Sequence, residues 1–397
     1  MDAAPEPLVR RITNCHIHTF TSDHVPNRLL PLGLGPLLKV SLLRHPLRAL
    51  LALVDPFDGR DRFQRAANVI DIASGTTQRA VLERVRRRYP SGTRFVVLAM
   101  DLAYMGAGRV PVPLEQQHEE LAQLRDDVGD VVVPFAAVDP RRPGVAAMLA
   151  QLVEQRGFAG LKVYPNLGYA PTHPVLMEEV WPYAEARGLP VMAHCSRGGV
   201  RGRDVPRGAL DTLAAPWCWE PVLERFPTLR VCLAHMGGDA EWRAYFADDP
   251  EVTGSEPPAR PSWLKAILDL LRSGRFPALY TDVSYTVFNM ERYVPALKVF
   301  LADPRVRSRV LFGSDYYMAE QERLEERLLA MRLRGTLGEA LFWQVAEENP
   351  ARWPRPATRG ASRGSSSCWI CCAAGLTRGC TRTCRTRCST WSGTCRR

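Results

Sequence analysis

Eight short β-branched, apolar runs punctuate the chain, and between seven of them the apolar spacing changes to that of helices. The runs are RITNCHIHTF (11–20), RFVVLAMD (94–101), VVVPFAAVD (131–139), GLKVYP (160–165), PVMAHC (190–195), RVCLAH (230–235), ALYTDVSY (278–285) and RVLFGSD (309–315). Helical patterns cover Leu114–Val128, Gly144–Arg156, Pro174–Arg187, Gly208–Phe226, Ser262–Ser273, Glu291–Ala302 and Ala319–Arg334. From residue 94 onward successive runs begin 29 to 48 residues apart. Strand-then-helix units at that spacing, with strands apolar enough to be covered on both faces, predict a parallel sheet of the α/β class. Eight of them predict a closed (β/α)8 TIM barrel.

What the runs end on is as informative as their number. The first contains His16-Ile17-His18, and three others stop at His194, His235 and Asp315. Side chains two apart on a strand point the same way, so His16 and His18 can offer two imidazoles to one divalent ion. A lone HxH proves little, since either histidine can be an ordinary strand residue, and Asp315 can simply cap the next helix. The set as a whole says more. Four of the eight histidines lie at strand ends, where a barrel has its active mouth, while His24, His45, His118 and His173 do not. In a closed barrel strand eight lies beside strand one, which brings Asp315 next to the HxH pair. Alternation predicts that Cys15, Cys195 and Cys232 face the surrounding helices as small core residues rather than ligands.

HxH on strand one, histidines on five and six, and Asp on eight resemble the amidohydrolase superfamily. The phrases NCHIHTF, GLKVYP, MAHCSRGG, LAHMGG, FGSDYY and ENPARW are similar to its amidohydrolase-related group, which includes the aminocarboxymuconate semialdehyde decarboxylase-like enzymes. The resemblance spans about residues 11–353. It implies that His16, His18, His194 and Asp315 hold one divalent metal, zinc being the expected ion, with His235 beside the substrate. A divalent ion lowers the pKa of a water it binds from 15.7 to about 7 and polarises the bond under attack. Asp315 would take and return the proton, and His235 would stabilise developing charge or donate a proton. Lys162 in GLKVYP stands where two-metal relatives carry a carboxylated bridging lysine; a bridging role, a substrate contact and a structural ion pair all stay open. Arg197, just after His194-Cys195-Ser196, can hold a substrate carboxylate bidentately or be a surface arginine. Tyr164, Tyr285, Tyr316 and Tyr317 also fall near strand ends.

Three functions follow as expectations: a metal-dependent hydrolase of a small ester, lactone or amide; a non-oxidative decarboxylase of a small aromatic or unsaturated carboxylic acid; and a non-catalytic barrel. Hydrolysis is the first choice because it is the commoner chemistry of the superfamily, an argument by analogy. No glycine-rich dinucleotide motif is present, so no nicotinamide cofactor is expected.

The remaining features set the boundaries. Residues 22–62 carry apolar residues at helical spacing, Leu37 to Val54 among them, and predict a helical insertion packed over the barrel mouth, the other reading being a hydrophobic partner or membrane-surface contact; 61–89 reads as an Arg-rich helix with a Glu83–Arg87 pair. The barrel domain is placed at 1–353. Residues 354–397 use Arg, Ser, Thr, Cys, Gly, Ala, Pro and Trp almost exclusively and hold seven of the eleven cysteines, the composition of an unfolded extension or a shifted reading frame. One CxxC, Cys368 to Cys371, lacks the second pair a zinc site needs. The family's last barrel helix normally continues past Asn349-Pro350-Ala351-Arg352-Trp353, so the break there puts the final packing layer in question. The formal charge of +10 equals the ten arginines of 351–397; the other 42 basic residues balance 42 acidic ones. The body is therefore neutral, and the charge is no argument for specific nucleic-acid or membrane binding. Four body cysteines suit a reducing compartment, and no secretory signal or spanning helix is apparent, so a cytoplasmic protein with a small-molecule substrate is expected, with a homodimer as one assembly.

Overall fold

The computed structural model describes residues 10–29, 76–248, 261–285, 290–316 and 326–353. Most of the insertion over 22–62, the start of the helix expected at 61–89, and the tail 354–397 lie outside those residues.

The strands are β1 (Thr13–Ile17), β2 (Arg94–Leu98), β3 (Val132–Ala137), β4 (Gly160–Val163), β5 (Val191–Ala193), β6 (Val231–Leu233), β7 (Leu279–Asp282) and β8 (Val310–Leu311). They form one parallel sheet in sequential order. Backbone bonds from Cys15 N to Phe312 O (2.8 Å) and from Asp315 N to His16 O (2.8 Å) join β8 to β1. The chain is thus a (β/α)8 barrel. Helices α1 (Gln78–Arg86), α2 (Leu114–Val128), α3 (Val145–Arg156), α4 (Trp181–Arg187), α5 (Glu220–Arg225), α6 (Trp263–Ser273), α7 (Met290–Phe300) and α8 (Glu326–Leu337) follow the strands in turn. No helix among the described residues is long and apolar enough to cross a membrane.

Two buried clusters divide the core. The larger lies between strands and helices and takes Ile17, Leu161, Val163, Ala193, Cys195 and Leu233. The smaller fills the barrel itself, with Cys15, Val96, Phe135, Met192, Cys232, Leu311 and Trp353. Cys195 therefore faces the helices as expected. Cys15 and Cys232 do not: both point inward. The register supplies the reason at Cys15, because Asn14 pairs with Phe95 but Ile17 with Val97, three steps on β1 against two on β2. Such a bulge breaks strict alternation and puts Cys15 and His16 on one side. At Cys232 alternation holds within β6 but fails after it, since His235 adopts a left-handed φ of 67°. Glu83 pairs with Arg86 at 2.7 Å rather than with Arg87.

The segment after α8 closes the barrel floor. Asn349 Nδ2 donates to Arg307 O and Val310 O (2.7 Å each), Phe312 N donates to Val345 O, and the buried Trp353 ring lies 5.5 Å from that of Phe135.

Candidate metal centre

All five histidine and aspartate positions expected at the mouth converge there. His16, His18, His194, His235 and Asp315 are each at most 7% exposed. The tightest grouping is His16, His235 and Asp315, whose ligand atoms lie within 4.8 Å of one another. His194 Nδ1 is 3.1 Å from His235 Nε2, and Asp315 Oδ1 is 4.0 Å from His18 Nε2.

The surroundings of each imidazole decide which nitrogen faces the centre. His18 Nδ1 donates to Leu98 O (2.9 Å), and His194 Nε2 donates to Gly198 O (3.1 Å). His16 Nδ1 donates to Asp282 Oδ2 (2.8 Å), and His235 Nδ1 lies 2.9 Å from Ser284 Oγ and 3.2 Å from Ser284 O. One nitrogen of each ring is thereby committed as a donor to the surrounding shell. The other carries the lone pair: His235 Nε2 and His194 Nδ1 face each other, His16 Nε2 faces Lys162 Nζ at 3.5 Å, and His18 Nε2 faces Asp315 Oδ1 at 4.0 Å. Burial first, and then neighbouring cationic groups, hold all four imidazoles well below their ordinary pKa, His18 at about 3, so they are neutral at pH 7.

Two lone pairs 3.1 Å apart repel unless a cation lies against both. Nitrogens bound at 2.0–2.1 Å to one ion with bond angles of about 90–110° stand roughly 3.0–3.4 Å apart. Four neutral imidazole lone pairs and a carboxylate, backed by donors committed outward, fit a divalent metal.

Lys162, inward on β4 and 2% exposed, puts Nζ 3.5 Å from His16 Nε2. Burial lowers its pKa to about 8, against the pull of Asp315 and Asp282, so it is an ammonium at neutral pH. Tyr164 stacks on His194 with centroids 4.0 Å apart. Arg197 is engaged elsewhere: Nε meets Glu241 Oε1 and Nη2 meets Asp211 Oδ1 (both 2.6 Å), and the guanidinium lies over the Trp263 ring.

The backbone is strained where the site is built. The described non-glycine residues with left-handed φ are His235 (67°), Met236 (46°), Tyr285 (59°) and Asp315 (53°), all just past β6, β7 or β8. Such conformations cost roughly 1–3 kcal/mol each and persist where surrounding contacts impose them. Gly313 is needed for another reason: a Cβ there would stand 2.7 Å from His16 Cβ, so glycine lets the chain after β8 approach β1.

Sequence reasoning missed Asp282 and Ser284, which contact both His16 and His235. The available signal was an aspartate closing the apolar run ALYTD, the same signature that marked Asp315.

The sequence profile of the amidohydrolase family matches residues 13–353. The chain belongs to the amidohydrolase family. It is an enzyme of that family, and its inward histidines and Asp315 occupy the mouth where the barrel's sites are built. No curated protein sequence matches the chain. Solved structures of similar fold include 5-carboxyvanillate decarboxylase from Sphingomonas paucimobilis (TM-score 0.51, 14% identity, 87% of this chain and 99% of that one). The same enzyme from Novosphingobium aromaticivorans, complexed with manganese and 4-hydroxy-3-methoxy-5-nitrobenzoic acid, gives 0.50 at 13% identity over 87% and 95%. A protein described as amidohydrolase II gives 0.50 at 15% over 86% and 99%. At these identities the likeness is one of fold.

Proposed function

We propose that this amidohydrolase-family member is a metal-dependent decarboxylase of a small aromatic or unsaturated carboxylic acid. One divalent ion, zinc, would be held by His16, His18, His194 and Asp315, with His235 against it. When bound, that ion supplies Lewis-acid stabilisation of charge developing on substrate oxygens. The observation that carries the reading is Lys162: a buried ammonium 3.5 Å from the neutral His16 imidazole, with the carboxylates of Asp315 and Asp282 acting on it. Loss of carbon dioxide breaks the carbon–carbon bond to the carboxyl group, leaves the electron pair on the substrate carbon, and needs a proton delivered there. Lys162 Nζ can pass its proton to that carbon, and Asp315 would relay a replacement proton from solvent water to the lysine. The substrate class is taken from the two fold relatives that are aromatic-acid decarboxylases.

Arg197, committed to two carboxylates, is a poor anchor for a substrate. Arg201 in the same loop has a buried Nε without a hydrogen-bond partner and is the better candidate for an anionic substituent. Hydrolysis is the second reading, favoured by Asp315 Oδ1 lying 4.0 Å from His18 Nε2, where a carboxylate could take a proton from water. A carboxylated Lys162 would bring two ions, so metal stoichiometry separates it from the single-ion site. The four free cysteines of the barrel suit the cytoplasm.

The test is product analysis. Zinc- or manganese-loaded protein is assayed on a panel of aromatic acids and lactones. Carbon dioxide release is expected, with kcat at least about 100-fold lower in Lys162→Met. Acid release from lactones without carbon dioxide would establish the hydrolase instead.

A further inference from the structure

Asp282, the last residue of β7, is wholly buried and binds both rims of the metal site at once. Its Oδ2 accepts from His16 Nδ1 at 2.8 Å. Its Oδ1 accepts from the backbone N–H of His235 (2.8 Å) and of Ser284 (3.1 Å), and also from the Ser284 hydroxyl. That hydroxyl, its own proton spent on Asp282, can only accept from His235 Nδ1 at 2.9 Å. The carboxylate therefore dictates hydrogen positions on two rings. A carboxylate oxygen has no proton to give, so the proton of His16 is fixed on Nδ1. Relayed through Ser284, the same demand fixes the proton of His235 on Nδ1. Its bond to His235 N also holds that residue in its left-handed conformation.

We infer that Asp282 is a positioning residue that sets the Nδ1–H form of both His16 and His235, so that both present Nε2 lone pairs to the metal. The inference rests on the metal-site reading above and goes beyond it, because it concerns proton placement in the protein before any ion binds. A carboxylate behind a ligating histidine is a common device for orienting the ring and raising its basicity. Here one carboxylate serves two rings on different strands.

The informative variant is Asp282→Asn, which keeps size and the acceptor facing His235 N and Ser284 N but turns Oδ2 into an amide donor. His16 Nδ1 must then accept, and its proton moves to Nε2, blocking the lone pair. In the full chain labelled with 15N-histidine and free of metal, NMR should show His16 and His235 as Nδ1–H in the parent and His16 as Nε2–H in the variant. Competition with a chromophoric chelator should show affinity for Zn2+ weakened by about 10–100-fold. Ser284→Ala keeps the Asp282 bond to His16 Nδ1 while removing a hydroxyl 3.1 Å from that nitrogen and 2.9 Å from His235 Nδ1, so it should leave His16 as Nδ1–H, release the constraint on His235, and weaken Zn2+ less. Parent protein with His16 protonated on Nε2, or Asp282→Asn binding Zn2+ as tightly as the parent, would overturn the inference. Should the variant not fold, the parent and Ser284→Ala spectra still decide it. Should the parent bind no zinc, the metal reading fails while the proton positions are still read independently.

Discussion

His18 and His118 are both buried, and in each case burial is the leading cause that pushes the imidazole down to about 3. His18 is one of the proposed metal ligands; His118 lies outside that set, accepting from Ala137 N at 3.0 Å and meeting Phe158 edge-on. Below pH 6.5 the unfolded imidazole takes up a proton that the folded one refuses. The unfolded state then binds more protons, and stability falls as pH drops from about 6.5 toward 3. Each such group loses about 1.4 kcal/mol per pH unit in that window, on the order of 2 kcal/mol by pH 5. The metal-free protein is therefore expected to melt at clearly lower temperature at pH 5 than at pH 7.5. Equal melting temperatures would show that these imidazoles are accessible to protons. At this scale the sequence identified the residues that converge but not how they are held. HxH, two strand-end histidines and an aspartate were legible because each ends an apolar run. Asp282 was hidden because its partners, His16 and the backbone of His235, are 266 and 47 residues away. The inward turn of Cys15 was hidden because a bulge is a property of strand pairing, absent from the periodicity of one strand.

At the scale of elements, the eight expected strands all form, each shorter than the run that announced it. RVLFGSD spans 309–315 while β8 pairs only over Val310–Leu311. The difference lies at the functional ends, where Asp315 and His235 leave the ladder to turn their side chains inward. The helix expected at Leu114–Val128 is α2 to the residue. The one expected at Gly208–Phe226 breaks into short pieces, among them Leu210–Leu213, Pro216–Trp219 and Glu220–Arg225, since Pro216 and Pro221 interrupt the backbone ladder that periodicity alone would continue. The loop after β5 shows what an element can do for the site. Gly198 O fixes the His194 ring, Val200 N donates to Tyr164 Oη at 3.2 Å, and Gly199 between them holds φ at +77°. A Cβ on Gly199 would stand 2.2 Å from Tyr164 Oη and 3.0 Å from His194 Cε1. Gly199→Ala must strain the backbone and push apart the Tyr164–His194 stack. A loss of roughly 1–3 kcal/mol in denaturant titration is expected, together with weaker zinc binding. Unchanged zinc affinity would mean that this loop does not orient His194.

On the scale of the whole molecule, the barrel is closed twice, once at the seam and once at the floor. The seam between β1 and β8 is held by Asn14, which donates to Ser314 Oγ (2.9 Å) and accepts from Ser314 N (3.1 Å) and His16 N (3.2 Å). That seam is what brings Asp315 beside the HxH pair, as ring closure required. The floor is Trp353, fully buried among Phe135, Cys15 and Cys232 although it ends the last described segment. The change of composition at residue 354 comes directly after that buried ring. Two variants separate the body from the tail. A chain ending at Pro356 is expected to keep the melting temperature and zinc affinity of the full protein. Trp353→Ala, leaving a large void under the sheet, should lose about 3–5 kcal/mol in equilibrium unfolding. If the shortened chain instead melts markedly lower, residues 357–397 contribute to the fold, and the domain boundary proposed from composition is wrong.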